Sequence, residues 1–240
     1  MKKHAVLTAL GAVLAVLATA CQTPPTAAPP SSPDCPYPDN VIQFNGDSLG
    51  IHIPRYVEVN GELVVNRSEP RAGFTYDIPF DPARNLPAVD SIGTTVKKWI
   101  TQCGVPDLVI VQGGINDIAG ASVPAATIQA AVTELSNWLQ ANQVPTLWVA
   151  VQPLSTAGSY MWSYPVRQAY NAWLTSGNVW GRTVNCAGVL QDPAVPDTLN
   201  PIYWQRVDLF GHIDGVHPNQ AGYDVFGQCV ADAATQALAG

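Results

Sequence analysis

Three short apolar runs, each cut off by glycine or proline, limit what this chain can fold into. Val41 to Phe44 stops at Gly46, Asp107 to Gln112 stops at Gly113-Gly114, and Pro145 to Val151 stops at Gln152-Pro153. Runs of this kind are strands buried on both faces, as in a parallel sheet. Gly181 to Val184 is a shorter strand-like piece. Between them lie helical patterns: Val89 to Gln102, Ala125 to Asn142, Gln220 to Leu238 and, more weakly, Tyr164 to Leu174. In the second of these, Ile128, Val132, Leu135 and Leu139 recur at spacings of three and four, one apolar stripe. Strands alternating with helices predict the α/β class: three layers, α/β/α, about a central, mostly parallel sheet. No internal repeat divides it, and at 47% hydrophobic the 240-residue chain can build one core of about 200 residues.

The first 40 residues read differently. Lys2 and Lys3 precede an uncharged run from Ala5 to Ala20, which meets Cys21. That is the n-region, h-region and small-residue cleavage pattern of a signal peptide, residues 1–20, and it falls short of the ~20 apolar residues of a membrane span. Ala18-Thr19-Ala20 suits ordinary signal peptidase, while Ala-Thr-Ala-Cys resembles a bacterial lipobox with Cys21 as the lipidated residue. Gln22 to Pro33 holds only small, polar and proline residues, so residues 21–39 are read as a tether and 40–240 as the domain. The expected location is outside the cytoplasm, anchored to a membrane through Cys21 or secreted.

Export implies an oxidising compartment. Setting Cys21 aside leaves Cys35, Cys103, Cys186 and Cys229, with none of the close spacings of a zinc site. Cys35 and Cys103 each precede a strand, and parallel strands start at one edge, so these two should pair. Cys186 follows the strand-like Gly181 to Val184 and Cys229 lies on the last helix, which gives the second pair. Eleven basic against 18 acidic residues produce a field that repels polyanions, so no nucleic-acid partner is expected.

Ligands of open parallel sheets sit at the carboxyl ends of the strands. The residues there are Gly46-Asp47-Ser48-Leu49 after the first run and Gly114-Ile115-Asn116-Asp117 after the second. Asp214-Gly215-Val216-His217-Pro218 comes just before the last helix. Ser, Asn, Asp and His on one rim are the inventory of acyl transfer: nucleophile, amide donor, base and orienting carboxylate.

In order, spacing and strand-end context these three blocks resemble the GDSL/SGNH hydrolases, over about Asn40 to Gly240. The resemblance implies a flavodoxin-like hydrolase fold and a serine ester hydrolase needing no cofactor or metal. It implies Ser48 as nucleophile, His217 as general base and Asp214 as its partner. It implies an oxyanion hole of the Ser48 N–H, a glycine N–H and the Asn116 side chain. The glycine belongs to a second block that here spans Val64 to Gly73 with extra residues; Gly73 is assigned, with Ser68 as the fallback. Arg67, Glu69 and Arg71 in that block are read as a solvated loop, and His52 as a surface histidine. Asp47 and Asp117 are expected to bond loop amides.

Tyr160, Met161, Trp162 and Tyr164 follow the third strand. Tyr160, Trp162 and Trp204 are candidate substrate contacts, with Phe210 similar, since aromatic faces stack on sugar rings. A metal cluster of Asp208, His212, Asp214 and His217 is disfavoured, because a serine with Asp-x-x-His already uses two of its members. The ending Asp214 to Asn219 followed by Gly222-Tyr223 resembles bacterial carbohydrate esterases. The expected substrate is therefore an O-acyl ester, short-chain or acetyl, on a carbohydrate or other envelope component, and the expected state a monomer. Two alternatives stay open: an O-acyltransferase acting on envelope glycans, and a non-catalytic binding module of the same fold.

Overall fold

A computed structural model describes residues 35, 40–57, 61–157, 160–205 and 213–240. The residues read as signal peptide and tether, Cys35 excepted, lie outside the described residues, as do Asp208, Phe210 and His212. Five strands form the sheet: β1 (Val41–Gly46), β2 (Leu63–Asn66), β3 (Leu108–Gln112), β4 (Thr146–Val149) and β5 (Arg182–Val184). Their order is β2-β1-β3-β4-β5, and every neighbouring pair is parallel. Among the described residues four α-helices cover it: α1 (Ile92–Cys103), α2 (Ala125–Ala141), α3 (Tyr164–Thr175) and α4 (Gln220–Leu238). The three-layer α/β reading of the sequence is the observed one.

Strand alternation sorts the side chains into two cores. Ile42, Phe44, Leu108, Ile110, Leu147 and Val149 face α4, where Phe226, Val230, Ala231 and Ala234 meet them. Val109, Val111 and Trp148 face the other way, onto Val96 and Ile100 of α1, the Ile128–Val132–Leu135–Leu139 stripe of α2, and Tyr170 and Leu174 of α3. Truncating a fully buried anchor such as Phe226 to alanine should cost about 3–5 kcal/mol. Gln43 and Asn45 lie beside Val109 and Val111 in register, so β1 turns polar side chains to the α1 side; Gln43 Nε2 donates to Asn45 Oδ1 at 3.0 Å.

Two element boundaries shift from the sequence reading. The helix expected from Val89 begins at Ile92, because Ser91 caps it, its hydroxyl accepting the Thr94 N–H. Val89 instead exchanges two backbone hydrogen bonds with Ile78. The strand expected to reach Val151 ends at Val149, since Asn171 on α3 takes over the Val151 backbone, bonding both its N–H and its carbonyl.

Both expected disulfides are present, Cys35–Cys103 and Cys186–Cys229. Cys103 ends α1 at the strand-start edge, where Val41 N–H donates to Asp107 Oδ2. The second pair fastens α4 to the segment that follows β5.

Candidate active site

The strand order places β1 between β2 and β3, so the chain leaves the tips of β1 and β3 toward opposite sides. Crevices at such a switch point are where open α/β sheets bind ligands. Ser48 follows β1 there and Asn116 follows β3. At Gly46 the two strands approach so closely that a Cβ would sit 2.7 Å from the Gln112 carbonyl oxygen, a contact no other residue type could make.

The turn after Gly46 exposes the serine. Asp47 Oδ1 accepts the Leu49 N–H at 2.9 Å and its backbone carbonyl accepts the Gly50 N–H at 3.0 Å. Asp47 and Leu49 are buried, which leaves Ser48 half-exposed between them. Ser48 Oγ lies 2.9 Å from His217 Nε2, and His217 Nδ1 lies 2.8 Å from Asp214 Oδ2. The network fits the tautomer in which Nδ1–H donates to Asp214 and Nε2 accepts from the serine hydroxyl. Burial acts to raise the Asp214 pKa, but the His217 side chain and the N–H groups of His217 and Val216 together hold it below the usual carboxylate range. Burial pushes the Asp47 carboxyl up to about 7, opposed by the Leu49 N–H and His217 and reinforced by Asp117.

The second and third blocks meet through one bond. Asn116 Nδ2 donates to the Ala72 carbonyl at 2.9 Å. The N–H groups of Ser48 and Gly73 make no hydrogen bond among the described residues. Ser68, the fallback, spends its N–H on Asn66 Oδ1 at 2.9 Å, which leaves Gly73 as the block's donor candidate. Asp117 behaves as expected of a loop brace: Oδ2 accepts from Phe74 N–H, and Oδ1 from the N–H and hydroxyl of Thr75. Asp47 does the same within its own turn.

The charged loop is less solvated than its composition implied. The Arg67 guanidinium lies 3.5 Å above the Trp99 ring of α1, and Arg71 Nη2 donates to the Pro87 carbonyl. The loop folds back over α1, and these contacts recruit its arginines. His52 is exposed, with its ring edge-on to Tyr223 at 4.9 Å.

The candidate substrate contacts separate. Trp162 stands half-exposed beside Met161 on a single helical turn, Met161–Ser163. Tyr160 packs against the core, as does Tyr164, whose hydroxyl donates to the Leu154 carbonyl. Trp204 gives its indole N–H to the Asp214 carbonyl. Among the described residues no group of three or more His, Cys, Asp or Glu forms a metal-ligand set.

Sequence reading missed how the Asp214–His217 turn is held. Its four successive carbonyls each accept from outside: Asp214 from Trp204 Nε1, Gly215 from Ser155 N–H, Val216 from Gln152 Nε2, and His217 from Gln205 N–H. The available signal was Gln152 itself, an amide at the tip of a buried apolar run.

A parallel α/β/α sheet with serine, histidine and carboxylate aligned at its switch point is the architecture of an ester hydrolase. The model of the GDSL-like lipase/acylhydrolase family matches residues 54–225, a span that begins just past Ser48 and takes in Asn116, Asp214 and His217. The chain belongs to that family, and it is an ester hydrolase. Solved structures share the fold. A GDSL-like lipase from Bacteroides thetaiotaomicron is 15% identical with a TM-score of 0.57, over 82% of this chain and 89% of that one. An acetyl esterase solved as a mutant with an acetate ion is 16% identical with a TM-score of 0.56, over 83% and 98%. A psychrotrophic esterase from Pseudoalteromonas, inhibited by monoethylphosphonate, is 13% identical with a TM-score of 0.54, over 84% and 100%. Among curated proteins there is no significant match.

Proposed function

We propose that this protein is an exported serine esterase that removes a short acyl group, acetyl above all, from a carbohydrate or another component of the cell envelope. The observation that carries the catalytic part is the Ser48–His217–Asp214 alignment, 2.9 and 2.8 Å. Ser48 Oγ attacks the ester carbonyl carbon as its proton passes to His217 Nε2, and Asp214 steadies the imidazolium. The oxyanion forms against the Ser48 and Gly73 N–H groups and Asn116 Nδ2, donors that are in place before substrate arrives. Collapse expels the alcohol, which takes the proton from His217. Water then attacks the acyl-serine by the same base, and the carboxylic acid leaves.

The substrate part rests on the likeness of the Asp214–Tyr223 ending to carbohydrate esterases, on the acetyl esterase of the same fold, and on exposed Trp162 near the strand tips. Fold does not fix substrate, so the acyl donor is open to direct assay. Export is supported by the signal-like residues 1–20 and by two disulfides, which persist in oxidising compartments. Anchoring would run through lipid on Cys21, with residues 21–39 as the tether and 40–240 as the catalytic domain.

Intact mass after treatment with a fluorophosphonate tests the mechanism, with peptide mapping to locate the adduct. One adduct on Ser48 is expected; an unmodified protein that still hydrolyses esters would overturn the serine mechanism. Release of acetate from acetylated xylan or acetylated peptidoglycan, compared with simple aryl acetates, tests the substrate class. Incubation with globomycin, which blocks lipoprotein signal processing, tests the anchor.

A further inference from the structure

We infer that Gln152 and Trp204 are positioning residues for the acid–base pair, an inference that rests on reading Asp214 and His217 as that pair. The Asp214–His217 turn belongs to no helix or strand, so nothing repetitive fixes its peptides. Asp214 Oδ1 accepts the N–H groups of Val216 and His217, both at 2.9 Å. The carbonyls of those same two peptides are taken from the other side by Ser155 N–H and Gln152 Nε2, both at 2.9 Å. Each of the two peptides is therefore gripped at both edges, by the catalytic carboxylate on one and by the β4–α3 segment on the other. Donation to a peptide carbonyl polarises its N–H, which strengthens the hold on Asp214 Oδ1. That leaves Oδ2 aimed at His217 Nδ1.

Of the four outside donors, two are backbone groups that any residue but proline could supply. The other two are side chains, present only because the residues are glutamine and tryptophan. Gln152 is fully buried, and its Oε1 has no hydrogen-bond partner among the described residues. A buried amide with one end unpaired is costly at that end; a methionine would fill the same space without the orphaned oxygen but would leave the Val216 carbonyl without its donor. The amide's evident use is its other end, on the peptide that enters His217. Trp204 closes the opposite side, its N–H on the Asp214 carbonyl while its backbone pairs with Pro218.

The test compares Gln152→Met and Trp204→Phe with the parent, using a chromogenic acetate and kcat normalised by active-site titration. Both variants should lose between about 10- and 100-fold in kcat with KM within about twofold, the signature of misplaced catalytic groups. Gln152→Met exchanges the orphaned amide oxygen for an unpaired Val216 carbonyl and should melt close to the parent. Unchanged kcat per titrated site in both variants overturns the inference, and so does a lowered melting temperature with kcat per site intact. Ser48→Ala is run alongside. If it keeps activity, the serine reading fails; if it is inactive while Gln152→Met is fully active, only the positioning role fails.

Discussion

Asn116 Nδ2 donates to the Ala72 carbonyl at 2.9 Å, so a side chain at the tip of β3 holds the peptide that carries the Gly73 N–H beyond β2. In a trans peptide the N–H direction follows from that of the carbonyl. In the proposed mechanism one amide would serve as an oxyanion donor and as the fastening of a second donor. Asn116→Ala should lower kcat by about 10²–10³-fold, with Asn116→Asp no better, since a carboxylate offers no proton to either oxygen. Steady-state kinetics on an aryl acetate measure this; a loss under threefold would remove Asn116 from the hole.

Ser48→Ala and His217→Ala should each cost about 10⁴-fold or more, and the double variant little beyond either, because the two act as one unit. Additive losses in the double variant would show that they act separately.

A side chain at Gly73 would be crowded. A Cβ there would lie 2.9 Å from the Tyr76 ring and 3.0 Å from both carboxylate oxygens of Asp117, which brace Phe74 and Thr75. Gly73→Ala should cost about 1–3 kcal/mol of stability by overpacking and lower activity with it. Chemical denaturation and kinetics on the same preparation check both; full activity at parental stability would mean the loop yields freely.

Asp47 sets a pH dependence. The folded protein keeps its carboxyl proton up to about pH 7, whereas an ordinary aspartate loses it near 3.8. Between those values the unfolded chain binds fewer protons than the folded one, so this residue's contribution to stability falls as pH rises from about 4 to about 7. Asp47→Asn keeps an oxygen for the Leu49 N–H and never has to ionise. It should be more stable than the parent at pH 8, by up to about 4 kcal/mol, with the advantage shrinking toward pH 4. Denaturant midpoints at pH 4, 6 and 8 decide it, and a difference that does not vary with pH would count against a buried proton.

The Cys35–Cys103 bond spans 68 positions, and a crosslink of that span restricts the unfolded chain by about 4 kcal/mol in the chain-entropy model. Cys103→Ser with Cys35→Ser should lower the melting temperature while leaving kcat within about twofold, since the bond is remote from the strand tips. A collapse of kcat per folded molecule would tie this bond to the site.

Legibility in the sequence followed chain distance. Val41 to Phe44, Asp107 to Gln112 and the α2 stripe declare themselves because their pattern is local; Ser48 and Asn116 stand out because they follow such strands, and Asp214 and His217 because they come just before the last helix. The disulfide pairing was accessible once strand starts were known to share an edge. Hidden were the contacts between segments far apart: Gln152 on Val216, Trp204 on Asp214, Arg67 on Trp99. No periodicity encodes which carbonyl a buried amide will meet. The start of α1 lies past Val89 because Ser91 caps the helix, and β4 ends early because Asn171 takes the Val151 backbone.

The disulfide at Cys35 also decides how mechanical force would travel. Tension on the chain upstream of Cys35 has a second covalent path, through sulfur into the last residue of α1, beside the backbone that leads to β1. The strand whose tip presents Ser48 thereby shares the load with α1, and the pull arrives at the end of the sheet opposite the Ser48 turn. If the chain is held by its N-terminus, as proposed, the load therefore enters at the strand-start edge, while the Ser48 turn lies at the other end of β1.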